Sequence, residues 1–192
     1  IDRPILIGLT FIVLILATGT AYTMATQGKA TFISPPYLLQ QLHFGAFLGI
    51  TAAGMMMVIL LGHIDLSVPW TLAASAMVGT AVGGVPGDVT ALLVGLTVGL
   101  VNGIGVAVLR VPSMIFTLGV NTVLLGLMVM LTGGFAPQNA ATPVMEFLGS
   151  ERTLGVPHSV VVWAALAMAL VFMLNRTPLG RYRYAIGNEE AA

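Results

Sequence analysis

Long uncharged apolar runs, separated by short polar connections, dominate the chain. Six of these runs approach the roughly 20 residues that an α-helix needs to cross a hydrocarbon core of about 30 Å. They cover approximately Pro4–Ala25, Leu42–Leu61, Pro69–Gly84, Val89–Leu109, Ser113–Leu131 and Ser159–Leu174. The third and sixth runs are short, which is typical of a helix that kinks, begins below the interface or re-enters. The pattern predicts an all-α integral membrane protein, a polytopic helical bundle of about six spans with a short or re-entrant third span.

Composition supports the same class and excludes several kinds of partner. The chain is 57% hydrophobic and 7% charged, whereas an ordinary soluble protein carries about 25% charged residues. Seven basic residues balance seven acidic ones, so no overall field attracts nucleic acid. The chain has no cysteine, which excludes disulfides and thiolate metal sites. We expect membrane lipid as a partner, and neither nucleic acid nor a bound metal.

The basic residues are distributed unevenly between the two sides of the predicted bundle. If the N-terminus is cytoplasmic, the outer side holds only Lys29 and Arg152. The cytoplasmic side then holds Arg3, Arg110, Arg176, Arg181 and Arg183. Because cytoplasmic loops carry an excess of Lys and Arg, this bias predicts a multi-pass protein with a cytoplasmic N-terminus.

Two outer connections hold most of the chain that lies outside the apolar runs. In the first, residues 26–41, Pro35 and Pro36 prevent a continuous helix. The second, residues 133–158, is punctuated by glycine and proline, and a connection of this length is either functional or loosely ordered. Two interpretations stay open for it: a docking surface for an external partner, or a spacer with a short interfacial helix around Val144–Leu148.

A carboxylate lies between the second and third apolar runs. Placing Asp65 at membrane depth costs about 2.5–3.5 kcal/mol even on lenient insertion scales, so the residue is expected to have a partner or a function. The favoured interpretation is that Asp65 and Ser67 cap the following helix; contact with a transported solute is the alternative. Asn102 and Asn121 lie inside the fourth and fifth runs, where buried amides commonly bridge helices. These four residues are the candidate pathway or structural residues.

Glycines recur every fourth residue in two of the runs. In the fourth run they are Gly95, Gly99 and Gly103, and in the second run they are Gly45 and Gly49. Glycines four residues apart lie on one face of a helix and allow a neighbouring helix to approach closely. We therefore expect these two faces to be packed against other helices.

Enzyme signatures are absent from the sequence. Neither a G-x-S-x-G nucleophile elbow nor an H-E-x-x-H zinc motif occurs. The only lysine, Lys29, stands between Gly28 and Ala30 and lacks the Ser/Thr and the upstream glycine of a phosphate-binding loop. The chain is predicted not to be an enzyme and to have no catalytic residue or cofactor of its own. Any ATP that it uses must be bound by another subunit.

Five separated motifs match one family of proteins. They occur in the order Ile64–Val68, Gly99–Gly103, Val111–Gly119, Thr132–Gly134 and Arg176–Ala192. Together they cover the chain from about residue 42 to its end. On these motifs the chain resembles the permease subunit of bacterial sugar ABC importers, in the ribose, xylose and galactose branch, which is distantly similar to branched-chain amino-acid permeases.

The resemblance implies a function and a set of partners. Two permease chains would form a dimeric pore that imports a small polar solute, a monosaccharide, across the bacterial inner membrane. A cytoplasmic ATPase subunit would bind ATP and Mg, and a soluble periplasmic or extracellular substrate-binding protein would deliver the solute. Residues 1–192 would form a single transmembrane domain, the N-terminal part of a permease of about 300 residues.

The resemblance also assigns a role to the last residues of the sequence. Residues 175–192 look like the cytoplasmic segment that leads into the helix coupling the permease to its ATPase. Glu189 and Glu190 would suit the N-terminus of that helix. The coupling residues implied by the family pattern are Gly180, Arg181, Tyr184, Gly187, Asn188, Glu189 and Glu190.

Some features depart from the family pattern or allow another class of protein. His63 and Pro69 replace the residues usual on either side of the Ile64–Val68 motif, and the terminal segment is one residue shorter around Gly187. An ATP-independent channel or secondary transporter would explain the glycine faces and Asp65 equally well. It leaves the terminal segment unexplained.

Overall fold

The computed structural model describes residues 3–135 and 139–178. Within these residues the chain forms seven α-helices, one 3-10 turn and a two-stranded hairpin. The elements are α1 (Arg3–Gln27), the 3-10 turn (Thr31–Ile33), α2 (Pro35–Ile59), α3 (Val68–Val82), α4 (Gly84–Ala107), α5 (Ser113–Thr132), α6 (Pro143–Gly149), β1 (Arg152–Thr153), β2 (Val156–Pro157) and α7 (His158–Arg176). The predicted all-α architecture is confirmed.

Five of these helices, α1, α2, α4, α5 and α7, are long and apolar enough to cross a membrane, with 19 to 25 residues each. Helix α3 is apolar but has only 15 residues, which agrees with the short third span expected from the sequence. Helix α2 begins at Pro35 rather than at the predicted Leu42. Proline is tolerated in the first turn of a helix because the N–H that it lacks has no partner within the helix there.

Contacts divide the chain into two compact units, Ile1–Leu48 and Gly49–Ala192. In the first unit, the ring of Phe32 lies over α1 at Gly19, where an added Cβ would come within 2.6 Å of the ring. The rings of Phe32 and Tyr37 are 4.8 Å apart. Glycine at position 19 thus makes room for the aromatic pair that follows α1.

Helices α3, α4 and α5 build the core of the second unit. Its buried apolar residues are Ala74, Val98, Leu124 and Met128. Helices α3 and α4 form a tight hairpin that turns at Gly83, whose φ of +72° favours glycine. Along the hairpin, a side chain on Gly87 would overlap the carbonyl oxygen of Gly79. The pair of glycines therefore sets how closely the two helices approach.

The glycine faces predicted to be packed behave differently from expectation. An added Cβ would meet nothing within 4 Å at Gly45, Gly99 or Gly103, and at Gly95 it would make only an ordinary contact with Ser75. Of the predicted set, Gly49 alone is tightly covered, by the indole of Trp163. Among the described residues, the packing prediction is wrong for Gly45, Gly99 and Gly103, whereas Gly95 does pack against α3 at ordinary contact distance. Spacing identifies a face of a helix but not what covers it.

The short helix expected around Val144–Leu148 is confirmed as α6. Thr142 is its N-cap and accepts a hydrogen bond from Met145 N at 3.1 Å, and Pro143 occupies the first helical position, where it is favoured. The short hairpin then leads directly into α7.

Candidate functional site

The connection between α2 and α3 is irregular backbone that obtains its hydrogen bonds from α5. It leaves α2 through Gly62, whose φ is +76°. Ile64 N donates to Ser113 Oγ at 3.2 Å and Leu66 N donates to Thr117 Oγ1 at 2.9 Å. Irregular backbone at membrane depth must find such partners inside the protein. The first turns of α5 supply them.

Asp65 is bonded both within the connection and to α4. Its Oδ1 accepts hydrogen bonds from Ser67 N at 2.8 Å and from Ser67 Oγ at 2.6 Å. Asn102 Nδ2, from α4, donates to Ser67 Oγ at 2.8 Å and lies 3.4 Å from each carboxylate oxygen. Ser67 is 1% exposed and Asn102 is 7% exposed. Hydrogen bonds to a charged group are roughly twice as strong as neutral ones, so Asp65 organises this contact.

We call the set Asp65, Ser67, Asn102, Ser113 and Thr117 the Asp65 junction. It ties the backbone before α3 to α4 through Asn102 and to α5 through two hydroxyls. Three helices are thereby held at one end of the core described above.

The prediction that Asp65 and Ser67 cap α3 is wrong. Ser67 occupies the N-cap position with φ −84° and ψ −12°, but its side chain makes no capping hydrogen bond. Its hydroxyl is bonded to Asp65 instead, and Pro69 in the first turn has no N–H to offer. The N–H of Trp70 donates to a residue of another helix, Asn121 Oδ1 of α5, at 3.4 Å.

The structure brings together three of the four candidate residues, Asp65, Ser67 and Asn102. Asn121 lies apart from these three and accepts a hydrogen bond from Trp70 N in the first turn of α3. The sequence interpretation missed the hydroxyls of Ser113 and Thr117. Their signal was present, because Ser113, Thr117 and Asn121 are spaced by four residues and so lie on one face of α5. That face meets the start of α3.

A cavity of about 360 Å³ lies beside the Asp65 junction. Residues of α2, the start of α3 and α4 line it, and its walls are mostly apolar. Among the described residues that line it, Asp65 is the only one with a charge. The lining includes Thr51, Gly54, Asp65, Thr71, Gly95 and Gly99.

A second polar contact, also missed from the sequence, fixes the long connection to α4. Asp88 Oδ1 accepts a hydrogen bond from Thr142 Oγ1, and Thr142 is 2% exposed. Beyond α6, His158 Nδ1 lies 2.7 Å from Phe147 O and its Nε2 lies 2.6 Å from Thr153 Oγ1. Part of the connection is thus bonded to the helical core; a role in docking a partner stays a prediction.

The predicted coupling residues, Gly180, Arg181, Tyr184, Gly187, Asn188, Glu189 and Glu190, lie outside the described residues. In the part of the chain that is described, no group of three or more His, Cys, Asp or Glu side chains is placed to hold a metal.

Comparison with known proteins identifies relatives over most of the chain. The ribose import permease protein RbsC of Escherichia coli (strain K12) is 38% identical over 164 residues, covering 81% of this chain and 50% of the relative. The fructose import permease protein FrcC of Rhizobium meliloti is 31% identical over 168 residues, covering 81% and 46%. The L-arabinose ABC transporter permease protein AraH of Azospirillum brasilense is 33% identical over 172 residues, covering 84% and 49%.

The chain spans about half the length of these curated relatives. No solved structure matches it significantly. The family described as "branched-chain amino acid transport system / permease component" matches residues 37–192, which include the Asp65 junction. Together with five membrane-length apolar helices, this match shows that the chain belongs to that permease family and is a multi-pass membrane protein.

Proposed function

We propose that the protein is a permease subunit of an ATP-driven ABC importer that carries a monosaccharide across the bacterial inner membrane. The observation that carries this proposal is the family match over residues 37–192. The relatives named for ribose, fructose and L-arabinose support a monosaccharide as the solute.

The proposed assembly contains three kinds of subunit and their ligands. A second permease chain completes the pore, a cytoplasmic ATPase binds ATP and Mg²⁺, and a soluble binding protein delivers the sugar from outside. Residues 175–192 are the proposed input from the ATPase. The permease chain itself shapes a path and transmits movement, and it carries out no covalent chemistry.

The Asp65 junction has a structural role in this proposal. An importer alternates between two arrangements, and its helices must move as defined bodies for ATP hydrolysis to be coupled to transport. The junction joins the start of α3 to α4 and α5 by hydrogen bonds to a carboxylate, a serine and two further hydroxyls. We infer that it keeps these three helices together as one body.

The orientation follows from the arginine distribution. The N-terminus lies on the cytoplasmic side, so the α2–α3 connection lies near that side, after the second of the spans. The connection that holds α6 lies on the outer side, where the binding protein docks.

Purification of the full-length protein from its native membrane in mild detergent tests the assembly. A stoichiometric ATPase subunit is expected to accompany it. If the protein is recovered alone and moves solute in vesicles with a proton or sodium gradient in place of ATP, the proposal fails. The channel or secondary transporter is then the correct class.

A further inference from the structure

We propose that the cavity bounded by α2, α3 and α4 is a binding site for the transported solute, where Asp65 accepts a hydrogen bond from a solute hydroxyl. This inference rests on the proposed function and names where in the chain the sugar is held.

The two carboxylate oxygens of Asp65 have different surroundings. Oδ1 accepts from Ser67 N and Ser67 Oγ at 2.8 and 2.6 Å. Among the described residues, Oδ2 has one long contact, 3.4 Å from Asn102 Nδ2. An ionised carboxylate offers about four acceptor positions. Oδ1 is therefore committed to the fold, and Oδ2 retains capacity for a donor outside it.

Asp65 also lines a cavity that is large enough for a small molecule. The volume of about 360 Å³ falls within the range of roughly 300–1,000 Å³ found for small-molecule sites. Such sites combine mostly apolar walls with a few polar groups that orient the ligand. Here the apolar walls come from side chains such as Ile50, Met55 and Leu72.

Two of the hydroxyls in the lining, those of Ser67 and Thr71, are already used as donors, which leaves Asp65 as the charged group that can select the ligand. Ser67 Oγ donates to Asp65, and Thr71 Oγ1 donates to Ser67 O at 2.9 Å. The described residues direct only one donor at Asp65 Oδ2, the distant Asn102 Nδ2. A dehydrated hard cation needs about six oxygen ligands, which the mostly apolar walls do not supply. A neutral polyhydroxylated molecule supplies both a donor and apolar C–H faces.

Glycines keep the site open on two walls. Gly54 on α2 and Gly99 on α4 both line the cavity, and an added Cβ would meet nothing within 4 Å at either position. The glycine face of α4 that was expected to pack against a helix borders this space instead. A Cβ added at either position would therefore displace no neighbouring atom, and a larger side chain there is expected to extend into the cavity.

Substitution of Gly99 tests the site in the full-length permease, assembled with its partner subunits in proteoliposomes. Gly99→Leu fills the cavity and is expected to reduce ATP-dependent ribose uptake by about tenfold or more, the effect of a misfit in a small site. Gly103→Leu is the matched control, because Gly103 is one turn further along α4, is equally uncovered and does not line the cavity. Its uptake is expected to stay near that of the wild type.

Cysteine labelling provides a second readout that requires no transport. In a background without other cysteines, Gly99→Cys is exposed to a small hydrophilic thiol reagent with and without saturating ribose. Ribose is expected to slow labelling at position 99 several-fold and to leave labelling of Gly103→Cys unchanged. Ethanolamine, as a primary amine probe, is expected to give no protection.

The outcomes separate this inference from the proposed function. Equal uptake in Gly99→Leu and Gly103→Leu, or absence of ribose protection at position 99, would overturn the site. Protection by ethanolamine instead of ribose would also overturn it, because the ligand would be a cation. Wild-type vesicles that take up no sugar with ATP would refute the importer, while ribose protection at position 99 would still support the site.

Discussion

Asp65 is a half-buried carboxylate in a membrane protein, and its contacts explain how the fold accommodates it. The carboxylate receives hydrogen bonds from Ser67 and lies within 3.4 Å of Asn102 Nδ2. A buried charge that is hydrogen-bonded avoids most of the penalty of an unpaired one. Asp65, Ser67 and Asn102 therefore form one hydrogen-bonded set that stabilises the start of α3.

Replacing Asp65 with Asn is expected to reduce both stability and uptake. The new amide would direct a donor at Asn102 Nδ2, also a donor, and the charge-assisted bonds would be lost. The expected loss is about 1.5–3 kcal/mol, the contribution typical of a hydrogen bond to a charged group. Thermal unfolding in detergent, followed by tryptophan fluorescence, measures the stability, and vesicle uptake measures the function.

A swapped pair distinguishes this contact from a general effect of lost charge. In Asp65→Asn combined with Asn102→Asp, the donor and the carboxylate exchange places between the α2–α3 connection and α4, so a bond between the two can re-form. The double variant is expected to unfold at a higher temperature than either single variant. If the shifts in unfolding temperature of the two single variants simply add in the double variant, the two residues are not coupled. Wild-type uptake in Asp65→Asn would refute a functional role for the junction.

Close backbone approach at Gly87 gives a separate test. Because an added Cβ there overlaps the carbonyl oxygen of Gly79, Gly87→Ala is expected to push α3 and α4 apart. Overpacking of this kind typically costs about 1–3 kcal/mol. Gly103→Ala, at an uncovered helical position, is the control and is expected to unfold near the wild-type temperature. An unchanged unfolding temperature in Gly87→Ala would contradict the packing described for the hairpin.

Hydropathy predicted most of the helices because length and apolar composition are what a bilayer requires of a spanning helix. Helices α1, α4, α5 and α7 lie close to their predicted bounds, and the short α3 was anticipated. The predicted start of α2 lies too far along the chain, because the first residues of this helix include two prolines, Gln40 and Gln41 and contain no long apolar run. Helix formation there is compatible with proline only in the first turn.

The contacts of the site could not be read from the sequence. Asn102 and Asp65 are separated by 37 positions, and Trp70 and Asn121 by 51, so their meeting depends on how the helices pack. The four-residue spacing of Ser113, Thr117 and Asn121 was visible and predicts a polar face. The spacing of Gly95, Gly99 and Gly103 was equally visible, but the face that it identifies borders a cavity and open space.

The connection that contains α6 is expected to loosen when its contact with α4 is removed. Thr142→Val keeps the shape of the side chain but removes the hydroxyl that caps α6 and donates to Asp88. Loss of an N-cap alone costs about 0.5–2 kcal/mol. Limited proteolysis from the outer side should cleave this connection faster in Thr142→Val than in Thr142→Ser, which retains the hydroxyl. Equal cleavage rates would show that the bond to Asp88 does not hold the connection.

Coupling to the ATPase belongs to the assembled transporter. Replacing Glu189 with Lys, or Gly187 with a bulky residue, is expected to weaken binding of the ATPase while leaving the membrane bundle folded. Glu189→Gln is the milder control for charge reversal. The amount of ATPase that co-purifies with each variant measures the binding. An unchanged unfolding temperature of the permease shows that the bundle is still folded. Undiminished ATPase recovery with Glu189→Lys would refute the assignment of residues 175–192.

The importer proposal depends on one property of the whole assembly, the use of ATP to move a sugar. The most direct measurement is uptake of labelled ribose, fructose or L-arabinose into vesicles that contain the full-length permease, its ATPase and the binding protein. We predict accumulation of at least one sugar with ATP on the ATPase side, and none with a non-hydrolysable analogue. Equal uptake with ATP and with the analogue, or uptake that follows an ion gradient alone, would contradict the account.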